Sequence, residues 1–93
     1  MRRAGRTDAN QPLIVKALRD AGATVQHLHG IGQGCPDLLV GFCGNNFLME
    51  VKDPTRKPSE RRLTEDEEIW HDGWRGRVQV VESIAEALLV IKC

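Results

Sequence analysis

Three charged side chains stand where two short strands fold back on each other: Asp37, directly behind Pro36, and Glu50 and Lys52 in the run Met49-Glu50-Val51-Lys52. In a strand, residues i and i+2 share a face, so Glu50 and Lys52 point one way and Met49 and Val51 the other. A turn centred on Gly44-Asn45 sets Lys52 directly opposite Asp37, with Glu50 as the diagonal neighbour of Asp37. Two carboxylates this close repel each other unless positive charge lies between them. Oxygen ligands with open positions suit Mg²⁺ or Mn²⁺, which keep water and accept phosphate oxygens. Asp37 and Glu50 would then hold a cation that polarises a phosphodiester, and Lys52 would orient the attacking water and offset developing charge. The bland alternative is a solvated patch of salt bridges on an exposed sheet face. Glu-x-Lys alone favours that alternative, since the triplet is common. Pro-Asp heading one strand and Glu-x-Lys on the next, after the glycine-rich segment 29–34, is far more specific.

These residues need a scaffold, and 93 residues allow one domain. Leu13, Ile14, Ala17, Leu18 and Ala21 recur at helical spacing after Pro12, with Asp8 or Asn10 as cap and Gly22 as terminator, predicting a helix over 11–21. Strands follow at 24–28, 36–42 and 47–52, the last two forming a hairpin across Cys43-Gly44-Asn45-Asn46. Residues 53–63 carry two prolines and no apolar pattern, which predicts a long exposed loop. Thr64-x-x-Glu67 and Ser83-x-x-Glu86 match capping boxes, opening helices on either side of a strand at 77–81. The last helix is expected to bury Ile84, Ala87, Leu88 and Ile91. The predicted order is α-β-β-β-α-β-α, an α/β domain around a small mixed sheet over 8–93, preceded by a flexible basic arm at 1–7.

Composition sets outer limits. Hydrophobic residues make up 41% and charged residues 28%, as in a soluble globular domain, and no apolar run approaches a membrane span. Lysine plus arginine number 13 against 13 acidic residues, a balance that excludes a strongly non-specific DNA coat protein. The total hides patches. Segment 1–19 is basic, 65–72 is acidic, and the loop at 53–63 holds Arg56, Lys57, Arg61 and Arg62, placed to contact phosphates just after the Glu-x-Lys strand. Cys35, Cys43 and Cys93 are an odd number with no secretory signal ahead of them, so packing thiols and a cytoplasmic location are expected. His27 and His29 read as a polar strand face. Trp70 and Trp74, at i and i+4, read as core or as an interface anchor.

The pattern Gly32-x-Gly34-x-Pro36-Asp37-Leu38, then Glu50-Val51-Lys52, then Leu63-Thr64 and Trp70, resembles a VRR-NUC domain, a branch of the PD-(D/E)XK nuclease superfamily. The resemblance runs from about Asp8 to Leu88 and is to short stand-alone phage or bacterial members. It implies a restriction-endonuclease-like core and a Mg²⁺- or Mn²⁺-dependent endonuclease. For the short members it further implies a homodimer resembling Holliday junction resolvases, which cuts branched DNA, four-way junctions foremost. It makes Asp37, Glu50 and the Val51 carbonyl metal ligands and Lys52 the catalytic lysine. Two positions depart from the pattern. Gln11 stands where the family often has a glutamate, and Glu67 stands where it favours glutamine. An amide at 11 adds no charge for a metal, and a carboxylate at 67 either attracts metal or serves only the Thr64 capping box. A junction-binding module with weak or no catalysis, and a nuclease for linear or flap DNA, are the competing readings.

Overall fold

The structure, a computed structural model, describes residues 8–92. The expected basic arm at 1–7 and Cys93 lie outside the described residues. The chain forms helix α1 (Gln11–Asp20), strands β1 (Thr24–His27), β2 (Leu38–Phe42) and β3 (Asn45–Val51), a short helix α2 (Pro58–Arg61), helix α3 (Glu65–Gly73), strand β4 (Gln79–Val81) and helix α4 (Ile84–Val90). This is the expected order with one addition: the segment read as a structureless loop contains α2. Pro58 at the first helical position is preset for that turn, and Glu60 follows in it.

The strands form one mixed sheet in the order β1-β2-β3-β4, with β1-β2 and β2-β3 antiparallel and β3-β4 parallel. One face carries Leu38, Val40, Met49, Val51 and Val81, all buried against Ile14, Val15 and Leu18 of α1 and Ala87 and Ile91 at the end of the chain. Of the four residues expected to be buried in the last helix, Ile84 and Leu88 are exposed instead. Its seven residues offer only a narrow stripe to the sheet and α1, which Ala87 and, just past the helix end, Ile91 fill. Among the described residues no helix is long and apolar enough to cross a membrane.

The hairpin register differs from expectation. Leu38 pairs with Met49 and Phe42 with Asn45, so the turn is the two residues Cys43-Gly44, with φ of 52° and 78°. Left-handed backbone at both central positions is what a tight type I′ hairpin needs. The sequence alone favours placing asparagine rather than cysteine in such a conformation, which is why the turn was expected one residue later. Continuing the observed register one step sets Asp37 opposite Glu50, and Lys52 becomes the diagonal neighbour. The paired partner shifts by two, an even number, so every side chain keeps its expected face. Cys35 is a free thiol, as expected, but Cys43 departs from expectation and is disulfide-bonded.

Candidate active site

Alternation along β3 puts Met49 and Val51 into the core and sends Glu50 and the following Lys52 to the opposite face. That face is not open at its C-terminal end. Glu50 is 2% exposed and Lys52 7%, because the first turn of α3 lies over them. The Thr64 hydroxyl accepts from the Glu67 N–H, and the Glu67 carboxylate accepts from the Thr64 N–H at 2.9 Å, a complete capping box. The same Glu67 Oε1 accepts from Lys52 Nζ at 2.8 Å. The capping-box role expected of Glu67 is present, and the same oxygen also holds Lys52.

Gly34 explains how α3 comes so near. At its φ of 82°, a Cβ would lie 2.2 Å from the Asp66 carbonyl oxygen, so only glycine lets the 29–34 segment pack against the start of the helix. Asp37 enters from the other side. Its Oδ2 accepts from the Val51 N–H at 2.7 Å, just past the last paired residues of the hairpin. In an extended strand a residue's N–H and C=O leave toward the same edge, so the Val51 carbonyl also faces the side where Asp37 lies. The Lys52 N–H points the other way, donating to the Val81 carbonyl at 3.0 Å.

Electrostatics follow from crowding. Burial, then the Asp37 and Glu67 charges, push Glu50 from 4.5 up to about 10. Burial also raises Asp37, though the Val51 N–H and its contact with Glu50 oppose the rise. Burial would raise Glu67 as well, but the Lys52 ammonium and the Thr64 N–H outweigh it and hold Glu67 low. Lys52 is raised because Glu67, Glu50 and Asp8 together exceed the burial that disfavours its charge. One lysine thus faces three carboxylates, with a 3.8 Å contact to Glu50 in addition to Glu67.

The start of α1 closes the corner. Asn10, read from sequence as a cap, makes no side-chain cap bond. Its Nδ2 donates instead to the Lys52 carbonyl at 3.1 Å and the Glu82 carbonyl at 3.3 Å, pinning α1 to the end of β3. Gln11 follows immediately, 1% exposed, and neither its side-chain oxygen nor its nitrogen has a hydrogen-bond partner. Glu50 Oε1 is also buried without one. Unpaired buried polar atoms are costly, so those of Gln11 and Glu50 mark places where a ligand or water belongs.

Asp8 is the residue that sequence reading missed. Burial raises its carboxyl, and it feels the charges of Lys52, Arg56, Asp53 and Glu67, so it belongs to the same cluster. Its Oδ1 pairs with Arg56 at 3.5 Å. No local motif signals this, because α1 reaches β3 only through the tertiary fold. Among the basic residues expected to meet phosphate, Arg56 is committed to Asp8 and, at 3.3 Å, to Glu60. Arg61 is half-buried, while Lys57 and Arg62 are exposed. Among the described residues no three His, Cys, Asp or Glu side chains are disposed to ligate a metal by themselves. A cation here would draw on Asp37 and Glu50, completing its shell with carbonyl, amide, water and phosphate oxygens.

Neither a family profile nor a curated protein sequence matches the chain. Among solved structures it is similar to one described as a VRR_NUC domain, with 32% identity over 87% of this chain and 88% of that one and a TM-score of 0.54. Identity at that level, over nearly the full length of both chains and on a shared α/β fold, carries more than fold likeness: the chain belongs to the VRR-NUC family of nuclease domains.

Proposed function

We propose that this domain is a Mg²⁺- or Mn²⁺-dependent endodeoxyribonuclease acting as a homodimer on branched DNA, four-way junctions foremost. The observation that carries the reading is the convergence of Asp37, Glu50 and Lys52 at one end of the hairpin, with a Glu50 oxygen and the Gln11 amide buried and unpartnered. These are hard oxygen donors with a surplus of negative charge, so they fit a divalent cation. Asp37, Glu50 and the Val51 carbonyl would hold it, and the Gln11 oxygen, buried without a partner, would accept from a coordinated water. When bound, the cation supplies Lewis-acid polarisation of the phosphodiester and a more acidic water.

The chain's own groups do the rest. Glu50, kept protonated by burial and then by the charges of Asp37 and Glu67, would have to release that proton to solvent to serve as a ligand, and a cation's charge would offset the burial and repulsion. Lys52, held by Glu67 and Glu50, presents its ammonium to the attacking water and the non-bridging oxygens. Lys57 and Arg62 are free to contact neighbouring phosphates. A two-fold dimer supplies the paired cuts that a near-symmetric junction calls for.

Cleavage of a synthetic four-way junction with Mg²⁺ or Mn²⁺ tests this, beside linear and flap DNA of the same sequence. Lys52→Ala should slow cleavage by roughly a hundred- to a thousandfold, the scale on which one charge-stabilising group acts. Full activity in Asp37→Asn or Lys52→Ala would refute the assignment. One observation favours a binding module: at 2.8 Å, Glu67 already occupies the Lys52 ammonium. That alternative predicts metal-independent junction binding and no product with any divalent ion.

A further inference from the structure

Strand β3 outruns its parallel neighbour. β4 matches it only at Met49, Glu50 and Val51, so among the described residues the stretch 45–48 has no strand beside it on that edge. The Val51 N–H turns toward Asp37, on the β2 side, so by alternation the backbone groups of Glu50 and Asn46 turn toward the β4 side. Glu50 meets β4 there. Asn46 instead lines a cavity of about 340 Å³, at the lower end of the roughly 300–1,000 Å³ usual for ligand pockets. Its wall combines two cations, Arg77 and Lys92, with the half-buried Phe47, Leu48 and Val90, and contains no carboxylate. Arg77 and Lys92 are exposed and form no ion pair among the described residues, whereas Arg56 is committed to Asp8 and Glu60.

We propose that this notch binds the phosphate of a nucleotide, with Arg77 and Lys92 on its oxygens and the sugar or base against Phe47, Leu48 and Val90. Two unpaired cations on one hollow, with no acid in its wall, select an anion. The donors narrow the choice. Arg77 supplies the planar fork that matches phosphate oxygens, and the Asn46 N–H on the open strand edge is a further donor of the kind that holds an oxyanion. The apolar wall beside these donors sets a nucleotide apart from a bare inorganic ion. Asn46 and Glu50 lie about 13 Å apart along the strand, so the notch is a second site, separate from the corner that holds Asp37, Glu50 and Lys52. A DNA backbone and a free nucleoside monophosphate offer the same chemistry. The strand is the source we argue for, which rests on the nuclease reading above, and the notch then anchors DNA away from the cleavage corner.

The test measures binding to the full chain in EDTA, where no cleavage intervenes. A labelled single-stranded oligonucleotide, thymidine monophosphate and thymidine are titrated in turn, and the backbone amide signals of Asn46 and Leu48 are followed by NMR. Both signals should move with the oligonucleotide and stay still with thymidine, which lacks the phosphate. Arg77→Ala combined with Lys92→Ala should weaken the oligonucleotide roughly tenfold at low salt. It should also flatten the plot of log affinity against log salt by about 1.4, at roughly 0.7 per phosphate contact. Lys16→Ala combined with Arg19→Ala removes the same charge from exposed positions on α1 and should weaken binding by less than about threefold. Movement with thymidine monophosphate but not with the oligonucleotide keeps the phosphate site and overturns its DNA source. Signals still with every ligand, an equal response to thymidine, or an Arg77 and Lys92 variant no weaker than the α1 control overturns the proposal. Junction cleavage in Mg²⁺ with still signals sinks the notch alone, while moving signals without cleavage sink the nuclease reading and leave the notch standing.

Discussion

Replacing Glu50 with glutamine should make the metal-free protein more stable at neutral pH. Crowding pushes the Glu50 carboxyl from 4.5 to about 10, so the folded chain at pH 7 keeps a proton that the unfolded chain releases. A raised acid contributes its full stability below its unfolded value and loses it steadily as pH rises toward the folded one. From 4.5 to pH 7 the loss is about 3 kcal/mol, at roughly 1.4 kcal/mol per unit. Glutamine does not titrate, and its amide donates where the protonated carboxyl does. The advantage of Glu50→Gln should therefore be near zero at pH 4.5, below about 1 kcal/mol at pH 5, and about 3 kcal/mol at pH 7. Urea denaturation in EDTA across this range measures it. Mn²⁺ at a thousand times its dissociation constant should reverse the order, because only the parent gains by binding, by about 4.1 kcal/mol. A difference independent of pH, or a glutamine variant weaker than the parent at pH 7, would refute the argument.

Other perturbations have equally definite outcomes. Gly34→Ala places a methyl against the Asp66 carbonyl at a positive φ, so it should destabilise by at least about 1–3 kcal/mol and shift the amide signals of α3. Thr64→Ala removes the acceptor of the capping box and should cost about 1 kcal/mol in thermal unfolding. Glu67→Gln keeps an oxygen for the Thr64 N–H but loses the charge facing Lys52. It should lower the lysine's pKa, read by NMR titration, while leaving helix α3 capped. Asn10→Ala breaks two bonds at once and should cost about 1–3 kcal/mol, with faster amide exchange at Lys52.

Much of the site was legible in the sequence because strand alternation is a strictly local property. Glu50 and Lys52 against Met49 and Val51 needed no knowledge of partners, and neither did Thr64 with Glu67. The turn was misplaced by one residue because the left-handed conformation of Cys43 is imposed by the strands it joins. The shift moved Asp37 from Lys52 to Glu50 without changing faces. What was hidden depends on contacts between distant segments: Asn10 on Lys52, Asp8 near the same lysine, and α3 folded over the sheet face that carries Glu50 and Lys52. The Trp70–Trp74 pair was visible as a spacing. Its exclusion from the core was not, since that depends on where the helix is anchored.

The Asn10 bonds have a consequence for biosynthesis. Nδ2 of this residue reaches the Glu82 carbonyl, 72 positions along the chain, at the same corner that holds Lys52. Closing so long a loop is entropically costly and comes late in folding. During translation, Asp37, Glu50 and Lys52 leave the ribosome well before Glu82 does. The corner that anchors the end of β3 to α1 closes only after that segment has emerged, so a half-made chain carries Asp37, Glu50 and Lys52 before their final geometry is in place.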